Sequence, residues 1–170
     1  MSGSLNKSII VAGMYSSSGK TAVTSLVLAA LQKRGVSIQP FKIGPDYIDP
    51  GYHLYYSAKN SVNLDPWIMG RDHVVQAAGQ FTKNSIGVAE GVMGLFDGSD
   101  PETDVGSTME IARWLGWKIL LVVPCQNAGR SITAAIQGFV REAGGAKYFI
   151  GIILNRINSQ GHADYLCKAM

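Results

Sequence analysis

Apolar positions along the chain fall into two alternating arrangements. Short, nearly unbroken apolar runs at residues 8–13, 36–43, 85–90, 118–124 and 148–154 read as strands buried on both faces. Between them the spacing turns helical. Residues 20–34 carry apolar side chains at 22, 23, 26, 27, 30 and 31, and Gly35 follows as a stop signal. Residues 107–115 read as a helix ended by Gly116, residues 131–143 as another, and a helical tail begins near His162. Pro40 leaves the middle of the second strand unsettled. Strands that alternate with helices predict βαβ units: an α/β fold in three layers, with a mostly parallel sheet and helices on both faces. Residues 44–66 break the rhythm. They are rich in Gly, Pro, Asp, Tyr and Asn and read as one long loop. Such a loop inside a compact domain is usually functional.

Composition narrows the class. A chain of 170 residues suits one domain, and 46% hydrophobic residues suit a soluble globular core. Charged residues are only 16%, below the usual ~25%, so part of the surface is expected to be covered by a partner or a further domain. The formal net charge is +3 without a basic run. That disfavours nucleic acid and favours small anions. The longest apolar stretch, residues 119–123, is far short of the ~18 residues of a membrane span. Lys7 and the short apolar run after it do not make a signal peptide. Cys125 and Cys167 read as free thiols of a reducing compartment, so a cytoplasmic protein is expected.

The sharpest chemical signal is the segment Gly13-Met14-Tyr15-Ser16-Ser17-Ser18-Gly19-Lys20-Thr21, between the first strand and the first helix. A P-loop needs that context. Backbone N–H groups and the helix N-terminus would face phosphate oxygens, Lys20 would reach the β- and γ-phosphates, and the Thr21 hydroxyl could ligate Mg²⁺. The strict pattern wants glycine at position 14, and here it stands one residue earlier. A serine-rich turn capping a helix is the plainer alternative. The coincidence of strand, Gly-Lys-Thr and helix speaks against it.

Two further segments sit after strands, where open α/β sheets bind ligands. Asp46 and Asp49 follow the second strand, and Mg²⁺ on phosphates is commonly held by one or two carboxylates. Lys42 could neutralise a substrate carboxylate or developing phosphate charge. The same residues also make good turns, and the local sequence does not choose between these readings. Glu90 ends the third run beside Gly91, Gly94 and Gly98, where a metal-positioning carboxylate of a P-loop enzyme would stand. His53, His73 and His162 lack metal-ligand spacing. Cys125 reads as a buried thiol, and Trp114 and Trp117 as packing residues. Asn155 ends the last strand, where it could read an adenine edge or cap a loop.

Together these segments resemble the N-terminal, ATP-binding domain of the cobyrinic acid a,c-diamide synthase family. The resemblance is carried by residues 13–21, residues 39–50 with His53, Asn63-Leu64-Asp65, residues 90–98, Gly106-Ser107-Thr108, Arg130-Ser131 and Ile153-Leu154-Asn155-Arg156. It covers nearly the whole chain in family order. It implies a P-loop NTPase-like fold similar to that of dethiobiotin synthetase. It also implies a ligase that amidates the a and c acetates of a corrin or related tetrapyrrole through an acyl phosphate, in cobalamin or related cofactor biosynthesis. ATP and Mg²⁺ are the implied cofactors. The implied catalytic set is Lys20, Lys42, Asp46, Asp49 and Glu90. The nucleotide set is Gly13, Ser16, Ser17, Ser18, Gly19, Lys20, Thr21 and Asn155. Thr21, Asp46 and Glu90 would hold the metal. Tyr47, Ile48 and Asp49 would face the tetrapyrrole, with His53 a further substrate-binding candidate.

In the family, glutamine supplies ammonia through a C-terminal amidotransferase domain. The chain stops at Met170, so a truncated amidoligase domain without that glutaminase is expected, and a homodimer is left open. The family's loop carries glycine where this chain has Ser17, and serine is strained there if the position needs positive φ. Two competing readings are a dethiobiotin-synthetase-like carboxylate-activating ligase and a partitioning-type ATPase switch. The first lacks the 44–50 segment. The second carries an early P-loop lysine where Met14 and Tyr15 stand here.

Overall fold

A computed structural model describes residues 8–170; Lys7 and the residues before it lie outside the described residues. The expected strands are β1 (Ile9–Gly13), β2 (Ile38–Ile43), β4 (Ile86–Glu90), β5 (Lys118–Pro124) and β6 (Phe149–Asn155). The expected helices are α1 (Lys20–Lys33), α4 (Thr108–Leu115), α5 (Ser131–Glu142) and α6 (Gln160–Ala169). With the short strand β3 (Val62–Leu64), six strands form one sheet in the order β3-β2-β4-β1-β5-β6, and every pairing is parallel.

The expected long loop at 44–66 is corrected by the structure. It contains α2 (Asp49–Ser57) and the three-residue strand β3 (Val62–Leu64). Helix α2 starts with Asp49 in its first turn and Pro50 beside it, and both are favourable there. It buries only His53 and Ser57, so it carries almost no apolar periodicity to read. Helix α3 (Pro66–Phe81) likewise has no counterpart among the expected elements. Asp65 caps it, and Gly70 (φ 69°, ψ 167°) breaks it. Pro40 is accommodated because β3 pairs only with residues 41–43 of β2, so at Pro40 only β4 lies alongside.

Side chains alternate across each strand, which divides the core in two. Ile10, Ala12, Phe41, Ile43, Ala89, Leu121 and Val123 face α3, α4 and α5, whose Val74, Ala78, Met109, Ile111 and Ile136 complete the larger core. Trp117 packs edge-on against Phe41 at 5.5 Å between ring centroids. Its ring also lies so close over Gly87 that a Cβ there would collide. Val11, Ile38, Val88 and Val122 face the other way, beneath Val23 and Leu28 of α1. Helix α2 packs on α1 and β2 on that same side. Cys125 is fully buried, and burial pushes its thiol pKa up. Among the described residues no helix is long and apolar enough to cross a membrane.

Candidate functional site

Strand parity and register assemble the site. Lys42 is four residues from Ile38, and Glu90 two from Val88, so both point to the α1 side of the sheet. Lys42 and Glu90 are register partners across β2 and β4, and Glu90 is also the partner of Val11 in β1. The chain leaves β1 through residues 14–19 and enters α1 at Lys20, on the same side. The carboxyl ends of β1, β2 and β4 therefore converge on one cleft of about 520 Å³. It is lined by Ser16, Ser17, Gly19, Lys20, Thr21, Ala22, Lys42, Asp46, Asp49, Glu90, Val92, Met93 and Arg156.

The charges inside are densely partnered. The Lys42 ammonium lies 2.6 Å from Asp49, 3.6 Å from Glu90 and 3.7 Å from Asp46, and also donates to the Gly91 carbonyl at 3.1 Å. Thr21 donates its hydroxyl to Glu90 Oε1 at 2.6 Å and has Asp49 Oδ1 at 3.3 Å. His53 Nε2 meets Glu90 Oε2 at 2.8 Å, and its Nδ1 lies 3.0 Å from Ser61 Oγ. Burial is the largest influence on Glu90 and pushes its carboxyl pKa up. The hydrogen bond from His53, the Lys42 charge and the Thr21 hydrogen bond together outweigh it, so the group titrates below the ordinary carboxylate value. Lys20 donates to the Met93 carbonyl at 2.5 Å. Burial first, and the Lys42 charge second, lower its pKa below that of an ordinary lysine.

The backbone is strained at this cleft. Ser17 (φ 62°), Met93 (φ 45°) and Arg156 (φ 58°) are three of the five non-glycine residues with positive φ among the described residues, and all three line it. Such strain persists only where surroundings enforce it. The enforcing contacts are visible at Ser17 and Arg156. Arg156 donates to the Ser17 carbonyl at 2.7 Å and to Gln126 at 3.0 Å. Asn155 donates its amide to the Ser18 carbonyl at 2.9 Å. Gly19 (φ 97°) lies against that amide, leaving no room for a Cβ. The Ser18 hydroxyl closes the turn onto the Tyr15 carbonyl at 2.7 Å.

The CobQ/CobB/MinD/ParA nucleotide binding domain family matches residues 9–170. The chain belongs to this family. It is 41% identical over 163 residues to a cobyrinate a,c-diamide synthase of Syntrophotalea carbinolica, covering 95% of this chain and 35% of the relative. It is 42% identical over 158 residues to a hydrogenobyrinate a,c-diamide synthase of Rhodobacter capsulatus, covering 92% of this chain and 36% of the relative. The chain thus spans about a third of the length of the curated relatives it matches. A DUF1611 family protein from Anabaena variabilis has a similar fold, with a TM-score of 0.54 at 17% identity, over 96% of this chain and 50% of that one.

Within the CobQ/CobB/MinD/ParA nucleotide binding domain, the structure brings Lys20, Thr21, Lys42, Asp46, Asp49 and Glu90 together with Ser16, Ser17 and Gly19. Ser18 is fully buried and shapes the loop, while Gly13 ends β1 beneath it. Tyr47 and Ile48 lie exposed on the rim. His53 is placed differently from the substrate-facing position expected of it. It is 0% exposed and lies behind Glu90, so it contacts the carboxylate and offers no open surface. Asn155 has its amide on the P-loop, which is the loop-capping alternative. Sequence reasoning missed the Met93 carbonyl as the partner of Lys20 and Arg156 as the clamp on Ser17. The first is a backbone group and carries no residue signal. The second stands in the Ile153-Leu154-Asn155-Arg156 segment already singled out, without a readable partner.

Proposed function

We propose that this domain activates a tetrapyrrole carboxylate with ATP for amidation, as the names of its relatives suggest. The observation that carries the reading is the second lysine. Lys20 belongs to the phosphate loop, but Lys42 comes from β2 and stands in the same cleft, held by three carboxylates. A simple nucleotide switch has no need of this extra buried cation. A carboxylate attacking a phosphate does, because two anions must approach each other.

Residues 13–19 and the α1 N-terminus would bind the triphosphate through backbone N–H groups. Lys20 would leave the Met93 carbonyl for phosphate oxygens. Lys42 would orient the substrate carboxylate, whose oxygen attacks the γ-phosphorus while ADP departs. The resulting acyl phosphate carries a good leaving group. Ammonia, free or delivered by a glutaminase domain, adds to its carbonyl carbon and inorganic phosphate leaves, giving the amide. Thr21, Glu90 and Asp49 present hard oxygen donors that fit Mg²⁺ shared with phosphates, which would offset phosphate charge. Asp46 fits less well, since one oxygen accepts from Ile48 N–H at 2.8 Å and the other faces Lys42. His53 would hold Glu90 ionised and aimed.

The test is ADP release from MgATP by this chain with cobyrinic acid and ammonium chloride. The reading expects turnover that requires both, and none in Lys42→Ala. Turnover indifferent to both additions would overturn it.

A further inference from the structure

Beside the cleft lies a second cavity of about 370 Å³ that the chemistry above leaves unused. Its size falls within the ~300–1,000 Å³ of small-molecule sites. Pro45, Pro66, Trp67, Ile68, Val92 and Met93 form most of its wall. Trp67 and Ile68 are 81% and 74% exposed, which is unusual for large apolar side chains in the first turn of a helix. They are fixed there by design of the turn. The Asp65 carboxylate accepts both of their N–H groups, at 2.9 and 3.2 Å, and Pro66 opens the helix. Asp65 is the one charged residue on the cavity wall, and it is buried and committed to that cap. The cavity therefore offers apolar surface without a free anion.

It is also continuous with the cleft. Val92 and Met93 line both, and Pro45 lines this cavity while its neighbour Asp46 lines the other. A ligand lying on Trp67 could pass one carboxylate arm over Met93, whose carbonyl now holds Lys20.

We propose that this cavity seats the apolar face of the substrate's macrocycle, with Trp67 stacked on it and Ile68 and Met93 at its edge. One carboxylate arm then crosses the Val92–Met93 ridge toward Lys20 and Lys42. The inference rests on the amidation reading and adds what selects a broad, flat polycarboxylate over a small one. An apolar face suits a surface whose own acid is sequestered, and Lys20 and Lys42, beside Asp46, Asp49 and Glu90 in the neighbouring cleft, are the cations one arm would meet.

The test is equilibrium dialysis of cobyrinic acid, followed by its visible absorbance, with a non-hydrolysable MgATP analogue present. This chain is compared with Trp67→Ala/Ile68→Ala and with Trp67→Phe, and each protein is titrated with MgATP by calorimetry. Both side chains are exposed, so their truncation leaves the core intact. The double variant is expected to bind cobyrinic acid about tenfold more weakly or worse, and Trp67→Phe within about threefold of the parent. MgATP affinity should be the same in all three. Equal cobyrinic acid affinity in parent and double variant overturns the platform and leaves the amidation reading standing. A double variant that loses MgATP to the same degree also overturns a role confined to the substrate. If the unaltered chain binds MgATP but no cobyrinic acid, the amidation reading falls and the platform with it.

Discussion

The cleft and its rim are built on opposite principles. In the cleft, Lys42 and Glu90 are almost wholly buried, and each has several partners already in place. On the rim, Tyr47, Ile48, Trp67 and Ile68 are each at least 74% exposed. The charges of Lys42 and Glu90 are held before a ligand arrives, an arrangement that limits reorganisation during reaction. Apolar surface on the rim is left in water, where it is worth more to a ligand than to the fold. The proposed chemistry thus falls at the carboxyl ends of β1, β2 and β4, and the proposed recognition where α2 and α3 begin.

If that division is right, changes in the cleft should damage chemistry or phosphate binding and spare nothing by being conservative. The largest effect is expected for Lys20→Ala: MgATP affinity should fall about 100-fold or more by calorimetry, since charge-assisted contacts of ~1.5–3 kcal/mol each are lost. Retained affinity would mean that the cleft is not the phosphate site. Next, Glu90→Gln keeps the shape but removes the charge facing Thr21, His53 and Lys42. Amide formation should drop ~100-fold, with a fall in stability of about 1–3 kcal/mol in urea unfolding.

His53→Ala sharpens the comparison, because it changes the cleft from behind. Its hydrogen bond is one of the influences that hold Glu90 below its ordinary value. Without it the carboxyl should titrate higher, and the acidic limb of the rate–pH profile should move to higher pH. Stability follows the same sign. The lowered carboxyl stabilises the fold above its unfolded pKa and loses that contribution as pH falls through the folded value. The variant should therefore gain less stability than the parent on raising pH through this window. An unmoved limb would remove His53 from the machinery.

The smallest expected change is Ser17→Gly. It relieves a non-glycine residue at φ 62° and should raise stability by about 1 kcal/mol, read as a higher Tm, with the Arg156 contact kept because it uses the Ser17 carbonyl. A lowered Tm would show that the serine side chain itself supports the loop.

These same residues show how far the sequence could be read. Lys20, Thr21 and Glu90 were legible because strand, glycine loop and helix recur in a fixed order, and the parallel sheet follows from the continuous apolar runs. The strained Ser17 followed from one missing glycine. Helix α2 was not legible, because it has two buried residues and a Tyr-rich surface. Nor was α3, although Asp65-Pro66 is a start signal, since Gly70 interrupts its period. The place of His53 beneath Glu90 depends on how α2 folds back onto α1 and β2, which no local pattern encodes.

The central claim is that this cleft makes an acyl phosphate. It is tested most directly by incubating the chain with MgATP, ammonium chloride and cobyrinic acid labelled with ¹⁸O in its carboxylates. The phosphate released is then weighed by mass spectrometry. The account predicts one ¹⁸O carried into phosphate for each amide formed. Amide formation with unlabelled phosphate, or phosphate release without any amide, would contradict it.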